Sequence, residues 1–127
     1  MPDYDSALFN PPAPVARVIL RNQQTGATVN NVPMLLDSGA DATLLPQAFV
    51  DQIGIEADPN EGYELMGFDG SVSIAPVVHL DLMFLRRTFK GRFLLINQEW
   101  GLIGRVILNH VSLLFDGLHL SWDEQKP

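Results

Sequence analysis

The chain has 127 residues, 46% hydrophobic and 18% charged, and fifteen acidic against eight basic side chains give it a net charge of −7. That is one domain's worth of chain with enough apolar side chain for a modest core, and its acidity argues against nucleic acid as a partner. No apolar run approaches the ~20 residues of a membrane span, and the lack of Cys excludes a disulfide framework and a thiol nucleophile.

In chain order the pattern is mostly β. Residues 1–14 hold four of the nine prolines and read as an extended N-terminal arm, leaving 15–127 as a single domain. The acidic start Met1-Pro2-Asp3-Tyr4-Asp5 lacks the basic-then-apolar order of a signal peptide, so a cytoplasmic location is expected. Val15 to Arg21 and Ala27 to Leu36 read as strands joined by a polar turn at Asn22 to Gly26. Pro46 suits the first position of a short helix carrying Phe49, Val50 and Ile53 on one face, and Gly54 stops it. Tyr63 to Met66 and Ser71 to Phe84 flank Gly67-Phe68-Asp69-Gly70, where Asp-Gly is a hairpin-turn signal.

Four of the basic residues fall in Arg86-Arg87-Thr88-Phe89-Lys90-Gly91-Arg92. A solvated hairpin turn is the preferred reading, and an anionic docking patch is the other. Phe93 to Ile96 reads as a strand, residues 105–110 as a helical turn, and Leu113 to Phe115 with Leu118 to Trp122 as a last hairpin about Asp116-Gly117. Strands at this spacing predict an all-β, barrel-like domain.

Two segments carry chemistry. In Leu35-Leu36-Asp37-Ser38-Gly39-Ala40-Asp41 an apolar run delivers one carboxylate into a tight turn, which predicts a buried Asp37 at the base of a cleft. Far downstream, Gly101-Leu102-Ile103-Gly104-Arg105 is a short apolar strand that ends in a glycine before a helical turn. Together, with a Gly-bearing hairpin between them, they resemble the retropepsin family, the single-lobed aspartic proteases of retroviruses and their cellular and bacterial relatives. The bacterial and cellular branch is the expected placement. The resemblance runs from about Val15 to Trp122 and implies a retropepsin-like acid protease barrel with one or two short helices, closed as a two-fold homodimer.

The dimer also follows from a count. Hydrolysis of a peptide by carboxylates takes one ionised group to activate water and one protonated group to polarise the carbonyl. The chain has one Asp-Ser-Gly, since Asp69-Gly70-Ser71 and Phe115-Asp116-Gly117 have the wrong order. A two-fold axis supplies the second Asp37, and the monomer is expected to be inactive. The dimer carries about twice the charge of one chain, so acid eases its self-repulsion.

By the resemblance, Asp37 is the catalytic residue, and Ser38 ties the two active-site turns together. Gly39 leaves its carbonyl to substrate, and Ala40 keeps the cleft floor small. Asp41 and Arg105 are implied as a structural ion pair, Gly67, Phe68, Asp69 and Gly70 as the flap, and Leu35, Trp100, Leu102 and Ile103 as substrate-pocket residues. Asp41 as a solvated turn residue and the hairpin as an inert one stay open. Phe68 and Asp69 depart from the glycine-richer retroviral flap tips, Val106 stands where relatives carry Asn or Asp, and the final segment from Ser112 is longer.

No metal or other cofactor is expected: His79 and Asp81 share a strand face, but the histidines match no compact zinc pattern. No His is placed to activate Ser38, and no Gly-rich phosphate loop precedes a Lys. The expected function is an aspartic endopeptidase acting on extended, partly hydrophobic peptides, with no membrane or nucleic-acid partner. The alternative is a catalytically weak dimerisation or peptide-binding module.

Overall fold

The computed structural model describes residues 2–67 and 69–126. The elements run β1 (Val15–Arg21), β2 (Thr28–Leu36), β3 (Leu44–Pro46), α1 (Gln47–Asp51), β4 (Gly62–Met66), β5 (Val72–Phe84), β6 (Arg87–Ile96), β7 (Gly101–Ile103), α2 (Arg105–Leu108), β8 (Leu113–Asp116) and β9 (Ser121–Glu124). In β1, Val18 and Leu20 are fully buried while Arg17 and Ile19 face outward, the period-two alternation of a strand with one covered face.

Strand order is β1-β2-β7-β3-β6-β5-β4, and β5 also pairs with β1. Six strands therefore close into a ring, with β4 carried on β5 outside it. Closure removes the unpaired edges an open sheet would present. The expected all-β barrel with one or two short helices is what the chain forms, with two. Its interior is filled by Leu20, Met34, Leu45, Leu80, Leu82, Ile103 and Ile107, all fully or almost fully buried. A smaller cluster of Leu44, Ala75, Val77 and Leu94 lies beside it, with Tyr63, Leu65 and Leu102 packed against it.

Local chemistry sets the corners. Asn22 is buried at the start of the β1–β2 turn, where its amide donates to the Ile53 carbonyl and its Oδ1 accepts from the Gln24 amide, each at 2.9 Å. Pro46 does not open the helix as predicted: it ends β3 with extended backbone (φ −65°, ψ 121°) and stands as the N-cap of α1. The hairpin between β5 and β6 turns through Leu85 and Arg86, both left-handed at φ 53° and 62°. Such a two-residue turn matches the strand twist. Placing side chains where glycine is easiest costs about 1–2 kcal/mol per residue.

Residues 2–14 do not stand off the barrel. Tyr4 donates its amide to the Leu120 carbonyl at 2.7 Å, Trp122 donates to Pro2 at 2.9 Å, and Asp5 and Ala13 exchange hydrogen bonds. The arm is thereby held along β9, on the side of that strand away from β8.

Arg21 and Asp81 sit opposite each other across β1 and β5. The Arg21 Nη2 to Asp81 Oδ2 distance is 2.6 Å, and Gln23 donates to the other carboxylate oxygen at 2.9 Å. Hydrogen bonds from Arg21 and then Gln23 hold the Asp81 carboxyl below its usual range, against the opposing effect of burial. A depressed folded-state pKa stabilises above the unfolded value, and that contribution is lost as pH falls through the folded one. Asp81→Asn is therefore expected to cost about 1–2 kcal/mol near neutrality, the lower part of the range for a charged hydrogen bond because Arg21 is partly solvated. The gap between wild type and variant in urea midpoints should shrink below about pH 4. A gap of constant size from neutrality into acid would contradict this assignment.

Candidate functional site

Asp37 follows β2 directly, beside β7, because Met34, Leu35 and Leu36 pair in parallel with Gly101, Leu102 and Ile103. Its amide donates to the Ile103 carbonyl at 3.0 Å, its Oδ1 accepts from the Gly39 amide at 2.9 Å, and its carbonyl accepts from Ala40 at 3.2 Å. The carboxylate is thus oriented by its own turn. It is half-buried, not sealed as the apolar flanks predicted. Among the described residues no cation pairs with it. Ser38 and Gly39 are exposed beside it.

The loop is bolted to the β7–α2 corner. Arg105 donates its amide to Ala40 at 2.8 Å, and Val106 donates to Asp41 at 3.3 Å. The buried Thr43 hydroxyl accepts from the Gly104 amide at 3.1 Å. A Cβ on Gly104 would lie 2.2 Å from the Ala42 carbonyl oxygen and 2.8 Å from that of Ala40, so only glycine allows this approach.

The predicted ion pair between Asp41 and Arg105 is not formed. The Arg105 guanidinium instead donates to the Ser38 carbonyl at 2.9 Å, and Asp41 accepts from the Ala42 amide at 2.9 Å. Both side chains are exposed, and an exposed pair is worth only about 0–1 kcal/mol, so a bond to a fixed carbonyl competes successfully. Arg105 still joins the two segments, through backbone rather than charge.

The predicted pocket residues separate. Leu35 and Leu102 are half-buried and directly paired across β2 and β7. Trp100 is half-buried against Phe9 of the arm, ring centroids 4.7 Å apart. Ile103 is a correction: it is fully buried in the barrel core, because alternation on β7 turns it away from the face Leu102 occupies. A recess of about 200 Å³ opens beside the loop, lined by Asp41, Ala42, Thr43, Tyr63, Leu94 and Val106 among others.

Strands β4 and β5 form the long hairpin predicted as a flap. Gly67 donates to Ser71 at 2.8 Å, Gly70 donates to Gly67 at 3.0 Å, and Gly70 is left-handed at φ +82°. Asp69 accepts from the Ser71 amide at 2.9 Å, and the Ser71 hydroxyl and amide hold its carboxyl below the usual range. Phe68 lies outside the described residues.

Sequence reasoning missed the open face of this hairpin, where Met66, Val72 and Ile74 are 78%, 56% and 72% exposed. Met66 and Val72 are cross-strand partners, and Ile74 follows on the same side. The signal was present: Val72, Ile74 and Pro76 make one face of β5 apolar here, while the residues it buries, Ala75 and Val77, lie on the other. A second missed group lies at the hairpin base, where His79 Nε2 is 2.5 Å from Glu61 and 3.9 Å from Asp58, and Arg92 is 3.3 Å from Glu61. These three potential ligands lie within 4.8 Å of one another, but Glu61 already serves a histidine and an arginine, which makes the group an ion-pair cluster.

No protein-family model and no curated protein sequence matches the chain. Among solved structures, it resembles the EIAV protease complexed with the inhibitor HBY-793, with TM-score 0.57 and 23% identity over 77% of this chain and 86% of that one. The simian foamy virus (mac) protease matches with TM-score 0.52 and 17% identity over 76% of this chain and 92% of that one. A foamy viral protease–reverse transcriptase in complex with double-stranded DNA matches with TM-score 0.50 and 17% identity, over 78% of this chain but 16% of that one. The fold is that of the retropepsin-like proteases. No helix among the described residues is long and apolar enough to cross a membrane.

Proposed function

We propose that the chain is an aspartic endopeptidase of the retropepsin type, in its bacterial and cellular branch and cytoplasmic, that cuts extended, partly hydrophobic peptides. The observation that carries the reading is Asp37 itself: a half-exposed carboxylate, oriented by the Gly39 amide and tied through Gly104 and Arg105, on a retropepsin-like barrel. One such group cannot both activate water and protonate a carbonyl, so two chains meet about a two-fold axis with Asp37 from each at its centre. Like charges held close cannot both ionise, and the pair keeps one proton for that double role.

Ser38, Gly39 and Ala40 form the cleft floor, and Leu35, Trp100 and Leu102 favour apolar side chains next to the cut. The hairpin at 62–72 closes over substrate with Gly67, Asp69 and Gly70 at its tip, and its open Met66, Val72 and Ile74 face supplies apolar contact. Departures at Asp69 and Val106 from the retroviral pattern support the placement outside the viral branch.

A second reading, a dimerisation or peptide-binding module with little catalysis, draws on the same hairpin face, which can hold extended peptide whether or not it is cut. Sedimentation against concentration at about pH 5 and 7, followed by digestion of a mixed peptide pool, tests both. A dimer of the 14.1 kDa chain that cleaves the pool is the expected result. A monomer at every concentration, or a dimer no more active than its Asp37→Asn variant, would sink the enzyme reading.

A further inference from the structure

A groove of about 750 Å³ lies far along the chain from Asp37, and none of its lining residues belongs to the Asp37 loop or to the hairpin at 62–72. Three separate segments build it: the β5–β6 turn, the loop after α2, and the residues following β9. They bring together Arg86, Arg87 and Lys126, with His110 beside them and Glu124 as the one carboxylate among the described residues of the lining. Three of only eight basic residues in a chain of net charge −7 thus converge on one concave surface.

The other cations are largely engaged: Arg17 pairs with Asp5, Arg21 with Asp81, Arg92 with Glu61, and Arg105 holds the Ser38 carbonyl. Within the groove, Arg87 donates to the His110 carbonyl and lies 3.8 Å from Glu124, which fixes it in place. Arg86 and Lys126 have no carboxylate within ion-pair distance among the described residues. Arg86 is presented from a two-residue turn with left-handed backbone, a position that a glycine or asparagine would hold with less strain.

We propose that this groove binds an acidic peptide segment, with Arg86 and Lys126 as its exposed cations and Arg87 as its fixed wall. Guanidinium groups recognise planar carboxylates with two parallel hydrogen bonds. A short acidic segment matches a confined groove, whereas a nucleic acid would run on over the rest of an acidic surface and be repelled by it. Glu124 sets the register by repelling a carboxylate at one end.

The test is anisotropy of fluorescein-labelled oligoglutamate titrated with the full chain at low and high salt. Binding is expected for oligoglutamate, weakened by salt, and not for oligolysine. Removing both charges, in Arg86→Gln combined with Lys126→Gln, should weaken it about tenfold, equivalent to about 1.4 kcal/mol. Lys90→Gln, which lowers net charge by one on the same hairpin but lies outside the groove, should leave it within about twofold. Thermal melts confirm that the variants, all at exposed positions, remain folded. Equal binding by wild type and the double variant would overturn the proposal. So would inorganic phosphate displacing the peptide at comparable concentration, or a labelled oligothymidylate binding more tightly than oligoglutamate.

Discussion

Asp37→Asn is expected to abolish peptide cleavage while leaving the barrel folded and the dimer intact or tightened. The Asn amide cannot share a proton with its mate or take one from water, so the whole acid–base contribution goes. Proton transfer by a positioned group is worth about 10²–10⁴-fold, and here the same pair serves as both acid and base, so a loss of at least ~10³ is expected. The substitution also removes the like-charge repulsion that two carboxylates bring to a shared axis. Association, measured by sedimentation, should therefore stay level or improve as turnover vanishes. A variant that loses activity only because it has become monomeric would show that Asp37 acts in assembly, and the catalytic assignment would fall. Neither outcome needs the natural substrate, since the peptide pool and the mass are read on the same samples.

Gly104→Ala should be among the most damaging single-methyl changes in the molecule. The added carbon would meet the Ala42 carbonyl oxygen at 2.2 Å, the Ala42 carbonyl carbon at 2.8 Å and the Ala40 carbonyl oxygen at 2.8 Å, all of them backbone. No flexible side chain is there to move, so the cost belongs at the top of the usual overpacking range, about 3 kcal/mol. For a chain of this size that lowers the melting temperature by roughly 10 °C. Relief comes only if the loop at 40–42 shifts, which also breaks the Thr43 and Arg105 bonds that hold Asp37's turn. Gly117→Ala, where nothing lies within 4 Å, is the matched control and should be close to neutral. If Gly104→Ala melts with wild type, the close approach at the β7–α2 corner is not what holds the loop.

Residues whose meaning is local were readable from the sequence, and residues whose meaning is tertiary were not. The Asp37 turn, the Asn22 corner and the Asp69-Gly70 hairpin carry their own turn chemistry, and each lies where its residues put it. β3 escaped notice because Leu44, Leu45 and Pro46 are all buried, and three residues covered on both faces have no period to detect. They form a strand only because β6 and β7 flank them. The first half of β6, Arg87 to Arg92, is polar enough to pass for a turn, yet residues 79–84 of β5 pair with it throughout. Ile103 and Leu102 are one residue apart and similar in character, so which of them faces the cleft depends on the register of β7 against β2. Asp41 and Arg105 are close in the fold, as their motifs imply. The choice between an ion pair and backbone contacts is a matter of a few ångströms that no spacing in the sequence encodes.

The bonds from Tyr4 to Leu120 and from Trp122 to Pro2 join residues near opposite ends of the numbering. Contacts of that span carry the largest loop-closure cost and are among the last to reward a folding chain. During synthesis at about 5–20 residues per second, residues 2–5 are made many seconds before Leu120 and Trp122 exist. Through that interval the segment has no strand to lie against. The order of translation thus acts as a timer, because the surface that the arm and β9 share is finished only after every residue of the Asp37 site has been made.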